Sequence, residues 1–104
     1  MDYIFEVTDK TGRRVHLTKE RLKHIQKHPH MQDPLDNILM TLRDPLGIRS
    51  ENPESKVLYF YKEFKQMHSL ERYLLVPVRY LNGKGFVITS FFTNRMTGER
   101  WTAK

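Results

Sequence analysis

Cysteine is absent from the 104-residue chain, which excludes disulfides and thiolate metal sites outright. No apolar run approaches the ~18–20 residues that a membrane-spanning helix needs. The opening stretch, MDYIFEVTDK, starts with an acid and carries only a short apolar segment, unlike a secretory signal. A cytoplasmic location is therefore expected. Tryptophan occurs once, and no repeat, low-complexity tract or linker interrupts the chain. Residues 1–104 read as a single domain, long enough for one core without staples. Acid is the scarcer charge: 12 Asp and Glu face 18 Lys and Arg, a net charge of +6. Such an excess favours polyanionic partners, nucleic acid above all, because neutralised phosphates release counterions.

What is present divides into two parts. YIFEV (3–7) and RVHL (14–17) read as strands joined by a turn that ends at Gly12, an expected N-terminal hairpin. Thr18 suits an N-cap, with Glu20 in the first turn, and this helix should end near His28 because Pro29 disfavours a helical predecessor. Asp33-Pro34 reads as an N-cap followed by proline at the first helical position. Leu35, Ile38, Leu39 and Leu42 then form one apolar stripe before Pro45 stops the helix.

After Gly47 the chain reads as strand: VLYFYKEF, RYLLVPVRYL and GFVITSFFT. A loose turn is expected at His68-Ser69 and a tight hairpin at Asn82-Gly83, and TGERW offers a short last strand. The expected fold is α+β, with two N-terminal helices packed on a meandering antiparallel sheet of four to six strands.

Histidine is unevenly spread. Four of the five, His16, His24, His28 and His30, fall within HLTKERLKHIQKHPH (16–30). On a helical wheel Leu22 and Ile25 face the core, while Arg21, His24 and His28 share a band about 60° wide beside it. A side chain on that flank can be half-buried and still reach a cleft. Three readings stay open. In the first, these are ordinary boundary residues with packed ring carbons and wet nitrogens. His24 and His28, spaced i and i+4, could ligate zinc, although no Glu follows the first His, and the surrounding cations oppose a dication. Or the flank binds anions and moves protons on a phosphate.

Alternation along the strands puts Arg79 on the face away from the better core set (Leu74, Val76, Val78, Tyr80), pairs Tyr59 with Tyr61, and interrupts an apolar run with Thr89 and Ser90. The polar candidates are thus His24, His28 and Arg21 from the helix and Tyr59, Tyr61, Lys62, Arg79 and Thr89 from the sheet, with Arg49 as a further cation. Cleaving a phosphodiester needs a base, an acid and positive charge around the phosphorus, and these residues supply all three.

The order of the short motifs resembles the phage- and genome-borne branch of the barnase–EndoU–colicin–RelE-like nuclease superfamily. Arg21-Leu22-Lys23-His24-Ile25, His28-Pro29, Thr41-Leu42 through Pro45, and Ile88-Thr89 carry that resemblance over residues 14–95. It implies a toxin-type endoribonuclease that needs no metal or other cofactor, acting on RNA and open to silencing by an antitoxin or inhibitor protein. By position it implies His24 as the leading catalytic residue, with Thr89 on the last long strand, and less directly Arg79, Lys62 and Tyr61. Cleavage would proceed by 2′-hydroxyl attack to a 2′,3′-cyclic phosphate. Arg79 would clamp the phosphate, Arg21, His28 and Arg49 would bind it, and His16 and His30 would have no part. The alternatives are a non-catalytic nucleic-acid-binding module of the same fold, with aromatics as stacking platforms, and a protein-interaction domain.

Overall fold

The central strand of the sheet is built from YLLVPVRYL, whose even-numbered residues are all buried against the helices. The computed structural model describes residues 3–65 and 72–100. The elements run β1 (Tyr3–Thr8), β2 (Arg14–Thr18), α1 (Lys19–Ile25), α2 (Leu35–Arg43), β3 (Gly47–Ser50), β4 (Val57–Glu63), β5 (Tyr73–Leu81), β6 (Lys84–Val87), β7 (Phe91–Thr93) and β8 (Glu99–Arg100). The sheet order is β1-β2-β6-β5-β4-β3-β8, with β7 also paired to β5. Leu74, Val76 and Val78 are fully buried and Tyr80 nearly so. They meet Leu58, Phe60, Val87, Val15 and Leu17 from neighbouring strands and Ile25, Ile38 and Leu42 from the helices in one core. No helix among the described residues is long and apolar enough to cross a membrane.

This sheet corrects the expected antiparallel meander of four to six strands. It has eight strands among the described residues, and it is mixed, because β2 and β6 pair in parallel, Arg14 to Lys84 and His16 to Phe86. Strand β3 has 4 residues, too short for alternation to reveal it, while β7 is the last part of GFVITSFFT and β8 falls in TGERW. The parallel pair leaves no mark on the sequence, since inward and outward positions alternate alike in either direction.

Two helix ends also differ from expectation. Thr18 caps α1 as expected, accepting from the Arg21 backbone N–H at 3.2 Å, but the helix stops at Ile25 and turns cover the residues up to His30. At α2 the cap position is Pro34, with no side-chain cap bond, rather than Asp33. The Asn82-Gly83 hairpin forms as read, with both residues at positive φ (54° and 79°), the backbone of a two-residue turn that follows strand twist. TGERW contributes β8. The expected turn at His68-Ser69 lies outside the described residues.

The run GFVITSFFT is two strands with a break. Between the β5–β6 and β5–β7 pairings, three steps on β5 (Val78 to Leu75) face four on its partner (Val87 to Phe91). The extra residue is a β-bulge. It is pinned by the Ile88 N–H donating to Pro77 O at 2.9 Å and by the buried Ser90 hydroxyl donating to Leu75 O at 2.8 Å. Thr89 therefore sits off the regular ladder, in the break.

Candidate active site

The helix flank and the bulge meet at one edge of the sheet. Because β2 and β6 run in parallel, the chain leaving β2 travels beside the chain leaving β6, and α1 passes the break that holds Thr89. Three residues beyond α1, His28 Nε2 lies 3.3 Å from Thr89 Oγ1. The ring of His28 stands edge-on to that of His24, with centroids 5.4 Å apart, and 5.6 Å from the ring of Phe91. His24 is exposed and His28 half-buried. Two imidazoles side by side, one steadied by a hydroxyl and both reachable from solvent, can take a proton and give one within a single encounter. Among the described residues no three His, Asp or Glu side chains gather closely enough to hold a metal ion.

Toward the start of α1 the same flank opens into a cleft of about 690 Å³. Arg21, Thr18, Lys19 and Glu20 form one wall, and Phe86, Leu81 and Val87 the other, with His16 between them. Arg79 is exposed on the sheet face turned from the helices, directly opposite Phe86 in the β5–β6 register. Thr89 lies three residues past Phe86, at most about 10 Å along a strand. Arg79 thus stands one strand beyond Phe86, next to a residue that lines the cleft but not itself part of the lining.

The remaining candidates are placed elsewhere. Lys62 Nζ donates to Asp44 O at 3.0 Å and lies 3.5 Å from Asp44 Oδ2, so it caps the carbonyl end of α2, where a cation is favoured. Tyr61 is buried, and its hydroxyl lies 3.3 Å from Thr97 Oγ1 and accepts from the Thr97 N–H at 3.3 Å. Arg49 donates to Gly98 O at 3.3 Å from β3, three strands away from β6. Tyr59 donates to Glu51 Oε1 at 2.8 Å, and burial, followed by that carboxylate, pushes its phenol up from the usual value.

His16, given no part by the sequence reading, is a buried ring with both nitrogens committed. Nε2 is 2.7 Å from Glu6 Oε2 and Nδ1 is 3.1 Å from Gly85 O. Glu6 also accepts from Arg14, and the hydrogen bonds from Arg14 and then His16 hold its carboxyl below the usual carboxylate value. The signal was available in RVHLT: Val15 and Leu17 point inward, so His16 belongs with Arg14 on the opposite face. Phe86 was missed as well, although a two-residue turn at Asn82-Gly83 fixes it opposite Arg79.

Compared with known protein families, residues 5–103 match PBECR2, the phage-Barnase-EndoU-ColicinE5/D-RelE like nuclease2 family. The chain belongs to this family. No curated protein and no solved structure matches it. The PBECR2 assignment bears out the resemblance drawn from the motif order and makes the domain a nuclease in kind. A nucleic acid is accordingly the general class of its substrate.

Proposed function

We propose that this PBECR2 domain is a metal-independent endoribonuclease that works at the His24–His28 edge. One imidazole takes the proton of the substrate's 2′-hydroxyl, and that oxygen attacks the adjacent phosphorus. The bond to the 5′-oxygen breaks, the second imidazole protonates the departing oxygen, and a 2′,3′-cyclic phosphate remains. Thr89 orients the His28 ring, while Arg21, one helical turn before His24, and Arg79, on the strand next to Phe86, supply positive charge to the phosphate. The observation that carries this reading is the edge-on histidine pair held against Thr89. The nucleophile is already on the substrate, a proximity worth several powers of ten. A protein that silences such a toxin-like nuclease would have to cover the exposed His24.

The test compares an RNA oligonucleotide with the same sequence as DNA and as 2′-O-methyl RNA. RNA should be cut to cyclic-phosphate ends, identified by mass spectrometry, in the presence of EDTA, and the other two should bind but stay whole. His24→Ala and His28→Ala should each lower turnover by about 10²–10⁴. Because His24 is exposed, its replacement should alter stability by only about 0.5 kcal/mol. Cleavage of the 2′-O-methyl strand, or loss of activity with EDTA that a divalent metal restores, would overturn the mechanism. Intact RNA bound by the wild-type protein would instead favour a binding module.

A further inference from the structure

We infer that the cleft at the start of α1 is a nucleobase subsite, with Phe86 as its stacking surface, for the nucleotide beside the cut phosphate. Its place next to the cut rests on the ribonuclease reading, but the binding chemistry does not.

Three observations converge on it. First, the cleft is large enough for a base with its sugar, at about 690 Å³, inside the range of small-ligand sites. Second, its sheet wall ends a row of rings. Tyr3 lies 4.5 Å from His16, and His16 is stacked on Phe86 at 5.3 Å with planes 26° apart. The buried His16 is fixed by Glu6 and by Gly85 O, so Phe86 rests on a rigid backing, while Phe86 itself is partly exposed and lines the cleft. A base entering there can stack on the exposed part of the Phe86 ring, and any base has a face to offer. Leu81, 43% exposed, adds apolar surface to the lining.

Third, charge and position suit a nucleotide rather than an apolar ligand. Arg21 and Lys19 stand on the helix wall, and Arg79 is opposite Phe86. Arg21 shares its helix flank with His24, about 5 Å further along the axis. A base against Phe86 would therefore place its phosphate between Arg21 and the histidine pair. Glu20 on the rim offers acceptors to a base edge.

The experiment titrates isotope-labelled protein with each of the four ribonucleoside 3′-monophosphates, and in parallel with ribose 5-phosphate, following backbone amides by NMR. At least one nucleotide should shift the amides of Thr18, Arg21 and Phe86 saturably, and ribose phosphate should not. Phe86→Leu keeps the apolar bulk but removes the ring, and should weaken that nucleotide about tenfold, while Phe86→Tyr should restore it. In RNA cleavage Phe86→Leu should raise KM with little change in kcat. Equal shifts from ribose phosphate, no shifts from any nucleotide, or unchanged affinity in Phe86→Leu would each overturn the inference, even if RNA is still cut. Base binding at Phe86 without turnover would overturn the ribonuclease reading and leave the subsite standing.

Discussion

Glu6 shows how one carboxylate can organise a face of the sheet. It accepts from Arg14 and from His16, and those two bonds lower its pKa in the folded chain. A depressed carboxyl pKa adds stability that is fully present above the unfolded value, 4.5 for Glu6, and is lost as pH falls through the folded one. Thermal melts from pH 6 to pH 3 should accordingly show Tm falling on the acid side. Glu6→Gln, which cannot ionise, should start lower at pH 6 and fall less steeply; parallel curves for the two proteins would deny the carboxylate this role. Asp9, which unlike the exposed Glu6 is buried, follows a different pattern. Asp9 accepts from Thr11 Oγ1 at 2.6 Å and from the Tyr80 hydroxyl, and Arg13 lies 3.6 Å over the Tyr80 ring. Burial first, and then Asp9, drives the Tyr80 phenol strongly upward, so it stays a donor throughout the physiological range.

At the scale of elements, β6 is held between β2 and β5 by close packing at Gly85. A Cβ there would lie 2.9 Å from both Tyr80 Cε1 and Val78 Cγ1 and 3.0 Å from Val15 Cγ2. Gly85→Ala should therefore cost about 1–3 kcal/mol in denaturant unfolding, and a neutral result would mean that the strand can shift to make room. The strands themselves were largely legible, because the aromatic and β-branched runs of β4 and β5 and the two-residue turn at Asn82-Gly83 are local properties. The wheel also grouped Arg21 and His24 with His28, which lies three residues past the end of α1 but still stands beside His24. The bulge was not legible. Ile88, Thr89 and Ser90 continue an ordinary strand sequence, and only the fixed pairings on either side, Val87 to Val78 and Phe91 to Leu75, force the extra residue out. Nor could residue type separate working cations from structural ones. Lys62 and Arg79 look equivalent in sequence, but one lies beside the C-terminus of α2 and the other is exposed opposite Phe86.

Across the whole molecule the excess of cations is not spread evenly in its consequences. For single-stranded RNA, log K should fall linearly with log salt, with a slope of about −0.7 per phosphate neutralised. Arg21→Gln should reduce that slope by roughly 0.7 in fluorescence-anisotropy titrations. Arg49→Gln should leave it unchanged, because Arg49 is bound to Gly98 O and lies about 14 Å away across three strand spacings. The opposite outcome would move the RNA path to the β3 side. The parallel pairing of β2 with β6 also has a meaning in time. Arg14, Val15 and His16 meet Lys84, Gly85 and Phe86, partners 70 residues later in each case (84 − 14, 85 − 15, 86 − 16). At synthesis rates of about 5–20 residues per second, the first strand waits roughly 4 to 14 s for its neighbour. The histidines leave the ribosome early, while Thr89, Phe86 and the strand that brings them alongside leave late. A nuclease domain is made in a compartment full of nucleic acid, and this order of emergence keeps His24 and His28 apart from Thr89 until β6 and the bulge have been made.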